Sequence, residues 1–178
     1  MSNTEEINND EPTISELSLE LNSDDTYTNK KYSFVSNKES FSIFKPEDEL
    51  YINVFLKALS YNLYKPFYET LQIDPPLYRK YKADLAAFNY SGEPICWVEC
   101  LERDYEKIEY ICKHMNIEEM ILVEVSDNIN LYLEKIRKKV HYKYHDLISV
   151  VNFVPEISYY IDPQEIVLIR DWYEVFHL

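Results

Sequence analysis

The chain has 178 residues, 46% of them hydrophobic and 17 of them tyrosine, which suffices for one domain and excludes a wholly disordered protein. Its net charge of −14 argues against simple electrostatic adhesion to nucleic acid or to an anionic membrane. No apolar run approaches the roughly 18 residues of a membrane span, and three cysteines without an export signal are typical of a reducing compartment. We therefore expect a cytoplasmic protein.

The N-terminal segment, residues 1–30, is predicted to be a disordered acidic tail. It contains eight acidic residues against Lys30 alone, so it carries −7 of the net charge of −14. Tyr27 is its only aromatic residue. The remaining residues, 31–178, are predicted to form a single α/β domain.

Four elements are predicted before residue 82: strands at 32–35 and 40–44, a helix from Pro46 to just before Pro66, and a short strand at 71–73. Alternating hydrophobicity predicts the first two strands. The helix start is predicted because proline and acidic residues favour a first turn, and apolar residues follow at spacings of three and four.

A hairpin is predicted over residues 82–101. Gly92, the only glycine, lies between two strand-like runs and marks a turn that needs a positive φ. Symmetry about Ser91 and Gly92 pairs residues whose numbers sum to 183, which places Asp84 opposite Glu99. Directly opposed residues share a face, with Cβ atoms about 5 Å apart. Two like charges this close destabilise a sheet unless a proton or a cation joins them.

The carboxylate pair thus predicts a site for a hard cation. Mg²⁺ takes one or two carboxylates together with waters and substrate phosphate oxygens. A register slip of one residue would separate the two side chains, and the alternative is that both lie at strand ends in solvent.

Helices and strands alternate after the hairpin: a helix opened by Arg103-Asp104, a strand at 120–125, a helix capped by Asp127 or Asn128, and a strand at 147–154. The apolar stripe of the second of these helices is predicted to contain Leu131, Leu133, Ile136 and Val140. Residues 157–178 stay open between a helix starting near Asp162 and a strand. The alternation predicts a mixed β-sheet with flanking helices.

Two basic stretches are interleaved with tyrosine, and they contain Arg79, Lys80 and Lys82 in the first and residues 135–145 in the second. Such stretches are candidates for contact with a phosphate backbone. A solvated surface is the simpler interpretation.

Other kinds of site find less support. A single glycine excludes phosphate-binding loops and dinucleotide fingerprints, and no serine or cysteine lies in a nucleophile motif. Cys96 and Cys100 would lie about 13 Å apart on one strand, which is too far for one zinc ion. We expect buried thiols instead.

Several short motifs resemble the YaeQ family. Residues 83–85 and 97–101 are similar to its pattern of an aspartate followed by Trp-Ile/Val-Glu-x-Gly. The helix that begins at Pro46 resembles the family's first helix, with Glu49 at its glutamate, and the strands at 71–73 and 147–154 resemble later ones. The order and spacing of these weak motifs carry the resemblance over about residues 31–170.

The YaeQ family is similar in fold to the PD-(D/E)XK nucleases, so the resemblance implies a restriction-endonuclease-like core. It also implies that Asp84 and Glu99 bind Mg²⁺ and that Glu49 assists. Leu101 stands where those nucleases have a lysine that positions the attacking water. Lys107, on the following helix, is our hypothesis for its replacement.

Two functions follow from this resemblance. The first is a Mg²⁺-dependent nuclease-like protein acting on nucleic-acid phosphodiesters, steered by the two basic stretches. The second is a catalytically degenerate nuclease fold that serves as a binding or regulatory module, which Leu101 and the acidic balance favour.

Overall fold

A computed structural model describes residues 30–36, 39–77, 80–160, 162 and 165–178. The strands are β1 (Lys30–Ser36), β2 (Glu39–Lys45), β3 (Gln72–Ile73), β4 (Leu85–Phe88), β5 (Pro94–Cys100), β6 (Glu119–Val125), β7 (Ile148–Phe153) and β8 (Tyr173–His177). The helices are α1 (Tyr51–Tyr64), α2 (Tyr105–His114), α3 (Ile129–Lys139) and α4 (Ile157–Tyr160), with 3₁₀ turns at Tyr142–Leu147 and Arg170–Trp172.

Six strands form one mixed sheet in the order β3-β4-β5-β6-β7-β8. The β5–β6 and β6–β7 pairs are parallel, and the other three pairs are antiparallel. Strands β6 and β7 are mostly apolar and are buried on both faces, as parallel strands covered by helices require. The predicted mixed sheet with flanking helices is confirmed.

Each face of the sheet has its own core. Helix α1 packs on one face together with the separate β1–β2 ribbon and α4, around Phe34, Phe55 and Phe153. Helices α2 and α3 pack on the other face, around Trp97 and Met120. The sheet therefore separates two layers, and charged side chains from either layer can reach the ends of its strands.

The predicted helix start at Pro46 is wrong. Helix α1 begins at Tyr51, and Pro46–Glu49 instead forms a turn in which the Glu49 N–H donates to the Pro46 carbonyl at 3.2 Å. Proline followed by acids suits a tight turn as well as a helix start, so composition did not separate the two. The predicted end before Pro66 is confirmed.

The stripe predicted for α3 is wrong at one position. Leu131 is exposed, and Tyr132 is buried in its place beside Leu133 and Ile136. A shift of one residue turns a helix face by about 100°, which is enough to exchange the two.

Some predictions lie outside the described residues. The acidic segment is among these except for Lys30, which begins β1, and Arg79 is too. Residues 157–178, left open above, contain α4, a 3₁₀ turn and β8. None of the described helices has the length and apolar character needed to cross a membrane.

Candidate functional site

Three acidic side chains lie in one row across the end of the sheet. The β4–β5 register pairs Leu85 with Val98, so Asp84, one residue before β4, lies against Glu99. On the other side, Ile73 pairs with Leu85, and the Asp74 N–H donates to the Asp84 carbonyl at 2.8 Å. The predicted register is therefore confirmed at the end that matters for the site.

The hairpin turn explains why the register could be predicted. Gly92 has φ 77°, and its N–H donates to the Asn89 carbonyl at 3.0 Å. The Asn89 side chain also accepts from the N–H groups of Ser91 and Glu93. An irregularity between Ala87 and Phe88 shifts the pairing near the turn and leaves the far end of the hairpin in register.

Lys57 forms ion pairs with three acids, and we call this group the Lys57 cluster: Lys57, Glu49, Asp74 and Asp84. Its Nζ lies 2.6 Å from Glu49 Oε1, 2.7 Å from Asp74 Oδ1 and 3.2 Å from Asp84 Oδ1. Burial alone would lower the pKa of Lys57, but the charge of Asp84 and the hydrogen bonds to Asp74 and Glu49 raise it above its ordinary value. The ammonium group therefore stays charged.

A second group, the Lys107 cluster, consists of Lys107, Glu99 and Glu102. The Lys107 Nζ lies 2.8 Å from Glu99 Oε2 and 2.7 Å from Glu102 Oε2. The other oxygen of Glu99 accepts from the indole N–H of Trp97 at 2.6 Å. Asp104 caps α2 by accepting from the N–H groups of Glu106 and Lys107, and this fixes the helix start that aims Lys107 at the strand.

Glu99 is the most perturbed acid of the site. Burial raises its pKa to about 8, and the negative charge of Asp84 adds to the shift, while Lys107 and Trp97 oppose it. Its protonated form is therefore favoured near neutral pH unless a further cation approaches. Strongly perturbed carboxylates of this kind are concentrated at functional sites.

The oxygens of the site differ in how they are satisfied. Asp84 Oδ2 accepts from the Cys100 N–H at 2.7 Å, so both oxygens of Asp84 and both of Glu99 have protein donors. Glu49 Oε2 is buried and has no hydrogen-bond partner among the described residues. Burial raises the pKa of Glu49, although its bond to Lys57 opposes that shift.

The donors are the hard oxygens that Mg²⁺ prefers. Within the described ranges, no three His, Cys, Asp or Glu side chains are arranged to hold one metal ion together. An ion at this site would thus rest on two carboxylates and water, a coordination that Mg²⁺ accepts.

Leu101 is turned away from the acids. It adopts φ 55°, the left-handed conformation that glycine takes without cost, and its N–H donates to the Val123 carbonyl at 2.8 Å. Its side chain packs against the core on the α1 side of the sheet, whereas Glu99 contacts Trp97 and α2 on the other side. The Leu101 side chain therefore does not face Glu99.

A third charged pair lies beside the Lys107 cluster. Glu124 is buried, 1% exposed, and accepts from both terminal nitrogens of Arg103, at 2.7 Å for Nη2. The Arg103 guanidinium lies 4.7 Å from the centre of the Tyr132 ring, and the Tyr132 hydroxyl donates to the Glu102 carbonyl at 2.9 Å. This pair ties the start of α2 to β6 and α3.

All four predicted site residues lie in the two clusters: Glu49 and Asp84 in the first, Glu99 and Lys107 in the second. Sequence reasoning missed Lys57, Asp74 and Glu102. Lys57 had a usable signal, because it is the only charged residue of α1 and lies in the run of buried residues from Val54 to Ser60. A lysine is almost never fully buried unless it is paired.

The basic stretches lie near α2. Lys80 is exposed, and its Nζ lies 4.6 Å from the centre of the Tyr110 ring; Lys82 is also exposed. Residues 135–145 cover the end of α3 and most of the following 3₁₀ turn. Contact with nucleic acid at these stretches stays a prediction.

The three cysteines are free and buried, which agrees with the expectation of core thiols. Burial raises the pKa of Cys96 and Cys112 to about 12, so neither provides a thiolate near neutral pH.

Neither a protein-family model nor a curated protein sequence matches the chain. Solved structures do. The YaeQ protein from Xanthomonas axonopodis pv. citri superposes with a TM-score of 0.60 at 14% identity, covering 85% of this chain and 92% of that one. The YaeQ protein from Pseudomonas syringae gives a TM-score of 0.58 at 12% identity, with coverages of 84% and 89%. The chain therefore has the fold seen in the YaeQ proteins, over nearly their whole length.

Proposed function

We propose that this protein is a Mg²⁺-dependent nuclease-like protein with a restriction-endonuclease-like core, and that it acts on nucleic-acid phosphodiesters. The observation that carries the proposal is the meeting of Asp84, Glu99 and Lys107 at the ends of β4 and β5. Two carboxylates on adjacent strands and an ammonium group 2.8 Å from one of them are the groups that this chemistry requires. The YaeQ-like fold supports the same assignment.

Asp84 and Glu99 would hold the ion. When bound, Mg²⁺ supplies Lewis-acid polarisation of the phosphodiester and makes water a better nucleophile. Glu49, with one buried oxygen that lacks a donor, completes the acidic group beside them.

Lys107 would orient the attacking water and offset the charge that develops on phosphate. Glu102 matters here because it is a second partner for the ammonium group, at 2.7 Å. Lys107 would therefore keep its ion pair with Glu102 when Glu99 binds a metal cation instead. Glu102 is a positioning residue in this scheme.

One observation favours a second candidate, a catalytically degenerate binding module. Every oxygen of Asp84 and Glu99 already accepts from a protein donor, and the two lysines supply the positive charge that a metal ion would bring. In such a module the clusters would hold the sheet end together, and the ligand surface would lie elsewhere.

Calorimetric titration with Mg²⁺ and Mn²⁺ separates the two candidates. We expect saturable binding to the wild type, and its loss in Asp84→Asn and Glu99→Gln, which keep the shape of each side chain. The control is Glu118→Gln. Glu118 is an exposed acid outside both clusters, so this variant should bind the ion as the wild type does. Equal absence of binding in the wild type and the variants would rule out the nuclease and leave the module.

Lys107→Ala tests the role given to the lysine. In a cleavage assay with a labelled oligonucleotide and Mg²⁺, we expect a fall of about 10²–10³-fold, the loss typical of one charge-stabilising donor. Unchanged cleavage would remove Lys107 from the mechanism.

A further inference from the structure

An open groove runs along α2 beside the end of α3, and we call it the α2 groove. Its volume is about 440 Å³, within the range of roughly 300–1,000 Å³ found for small-ligand sites. Its lining includes Tyr105, Glu106, Glu109, Tyr110, Lys113 and Lys139. The groove lies along α2, the helix that also carries Lys107, and none of its lining residues belongs to either cluster.

Aromatic rings flank the groove on one side. The Tyr110 ring lies 5.3 Å from that of Tyr81 and 4.5 Å from that of His114. Lys80 Nζ lies over both tyrosine rings, 4.7 Å from the centre of Tyr81 and 4.6 Å from the centre of Tyr110. Tyr81 lies three residues before Asp84 in the chain.

A second aromatic pair follows α3. His141 and Tyr142 are stacked, with ring centres 4.6 Å apart and an angle of 28° between the planes. Tyr142 is 77% exposed, which leaves it open to an incoming ring. The backbone N–H of His141 donates to Glu109 Oε2 at 2.8 Å, so the His141–Tyr142 pair is bonded to a residue that lines the groove.

The groove lining is balanced in charge, with two acids and two lysines, and a basic segment adjoins it at Lys139. Residues 135–145 contain no acid and five cationic side chains: Lys135, Arg137, Lys138, Lys139 and Lys143. These can pair with phosphate. Glu106 and Glu109 disfavour phosphate in the groove itself but can accept hydrogen bonds from the amino groups of bases.

We propose that the α2 groove and the exposed ring of Tyr142 beside it bind single-stranded nucleic acid, with unpaired bases stacked on Tyr110 in the groove and on Tyr142 next to it and the backbone held by the neighbouring lysines. Rings with lysines between them are the features by which proteins hold single strands. A duplex stacks its bases on one another and offers no base face to these rings. This inference rests on the proposed function, because it takes nucleic acid as the ligand, and it names the substrate class.

The test measures fluorescence anisotropy of a labelled oligonucleotide of about 16 nucleotides, single-stranded or annealed to its complement, in EDTA at about 50 and about 200 mM salt. We expect the single strand to bind about tenfold tighter than the duplex at both salt concentrations. Tyr142→Ala and Tyr110→Ala should each weaken single-strand binding by about 5- to 150-fold, the effect of one lost base stack. Tyr110→Phe keeps the ring and should bind as the wild type does.

The matched control is Tyr90→Ala, which removes a fully exposed tyrosine at the hairpin turn, outside the groove. Tyr110 packs against the core, so Tyr142→Ala, at an exposed ring, decides the result if Tyr110→Ala fails to fold. Equal binding of duplex and single strand, or equal binding by Tyr142→Ala and Tyr90→Ala, would overturn the inference.

Omitting Mg²⁺ separates this inference from the proposed function. Asp84→Asn should still bind the single strand, because Asp84 lies outside the groove. Tyr142-dependent single-strand binding without cleavage in Mg²⁺ would support the inference and overturn the nuclease. Cleavage of duplex without preference for single strands would do the reverse.

Discussion

The Lys57 cluster and the Lys107 cluster lie at the same end of the β4–β5 pair and approach it from opposite faces of the sheet. They differ in which partner of the ion pair is buried. In the first, the lysine is the enclosed partner, with its side chain 5% exposed against 46% for Asp74. In the second, the acid is enclosed, with the Glu99 side chain 4% exposed against 16% for Lys107. The most buried ionisable group is thus a lysine in the first cluster and a carboxyl group in the second.

The difference decides how each cluster responds to a change. Lys57 cannot readily become neutral, because three carboxylates raise its pKa, so its charge is a fixed part of the fold. Glu99 can become neutral, because burial raises its pKa to about 8. The Lys57 cluster is therefore suited to holding the sheet end, and the Lys107 cluster to gaining or losing a proton.

The substitution Lys57→Met should have the largest effect. It keeps most of the side-chain volume but leaves Glu49, Asp74 and Asp84 without their shared cation. We expect a loss of about 3–5 kcal/mol in the free energy of unfolding, measured by urea denaturation at neutral pH. Lys138→Met, at an exposed position of α3, should change it by no more than about 0.5 kcal/mol. Equal stabilities of the two variants would show that the first cluster is not structural.

The pH dependence of stability should reveal Glu99. Between its ordinary pKa of 4.5 and about 8, the folded state keeps a proton that the unfolded state has released, so stability falls as pH rises through this range. The fall contributed by this one group approaches about 1.4 kcal/mol per pH unit. Glu99→Gln removes this dependence on pH. From pH 5 to pH 7 the free energy of unfolding should therefore fall by about 2–3 kcal/mol less in the variant than in the wild type. Parallel pH profiles for the two proteins would contradict the assignment.

Lys107→Met should have the smallest effect at neutral pH, about 1 kcal/mol, because Glu99 is then largely protonated and tolerates the loss of its partner. Above pH 8 the cost should grow, since an ionised Glu99 would remain buried without a cation. Unfolding at pH 6.5 and pH 9 measures both values. If Lys107→Met lowered the free energy of unfolding by the same amount at both pH values, the ionisation of Glu99 would not determine that loss.

The register of the hairpin could be predicted because few alternatives exist. The only glycine lies between two strand-like runs and so locates this turn, and the two-residue period of a strand then fixes which side chains oppose each other. Asp84 and Glu99 follow from that alone. Lys107 is inferred from the family resemblance, as a lysine on the helix that follows Glu99, and the cap at Asp104 fixes where that helix starts.

The partners of Lys57 could not be predicted, because they depend on how α1 lies against the sheet. Periodicity shows which face of a helix is apolar, and it does not show which strand end that face meets. Asp74 comes directly after the short predicted strand at 71–73, and no pattern in the sequence places it beside Asp84. It became a site residue because β3 lies beside β4, a pairing of distant segments.

The conformation of Leu101 limits what substitution could do at this site. A lysine introduced there would inherit a left-handed backbone and a direction toward the α1 core, away from Glu99. A single exchange of Leu101 for lysine would therefore bury a charge and would not bring an ammonium group to Glu99. The backbone between β5 and α2, more than the identity of the side chain, makes the following helix the source of a lysine for Glu99 in this chain.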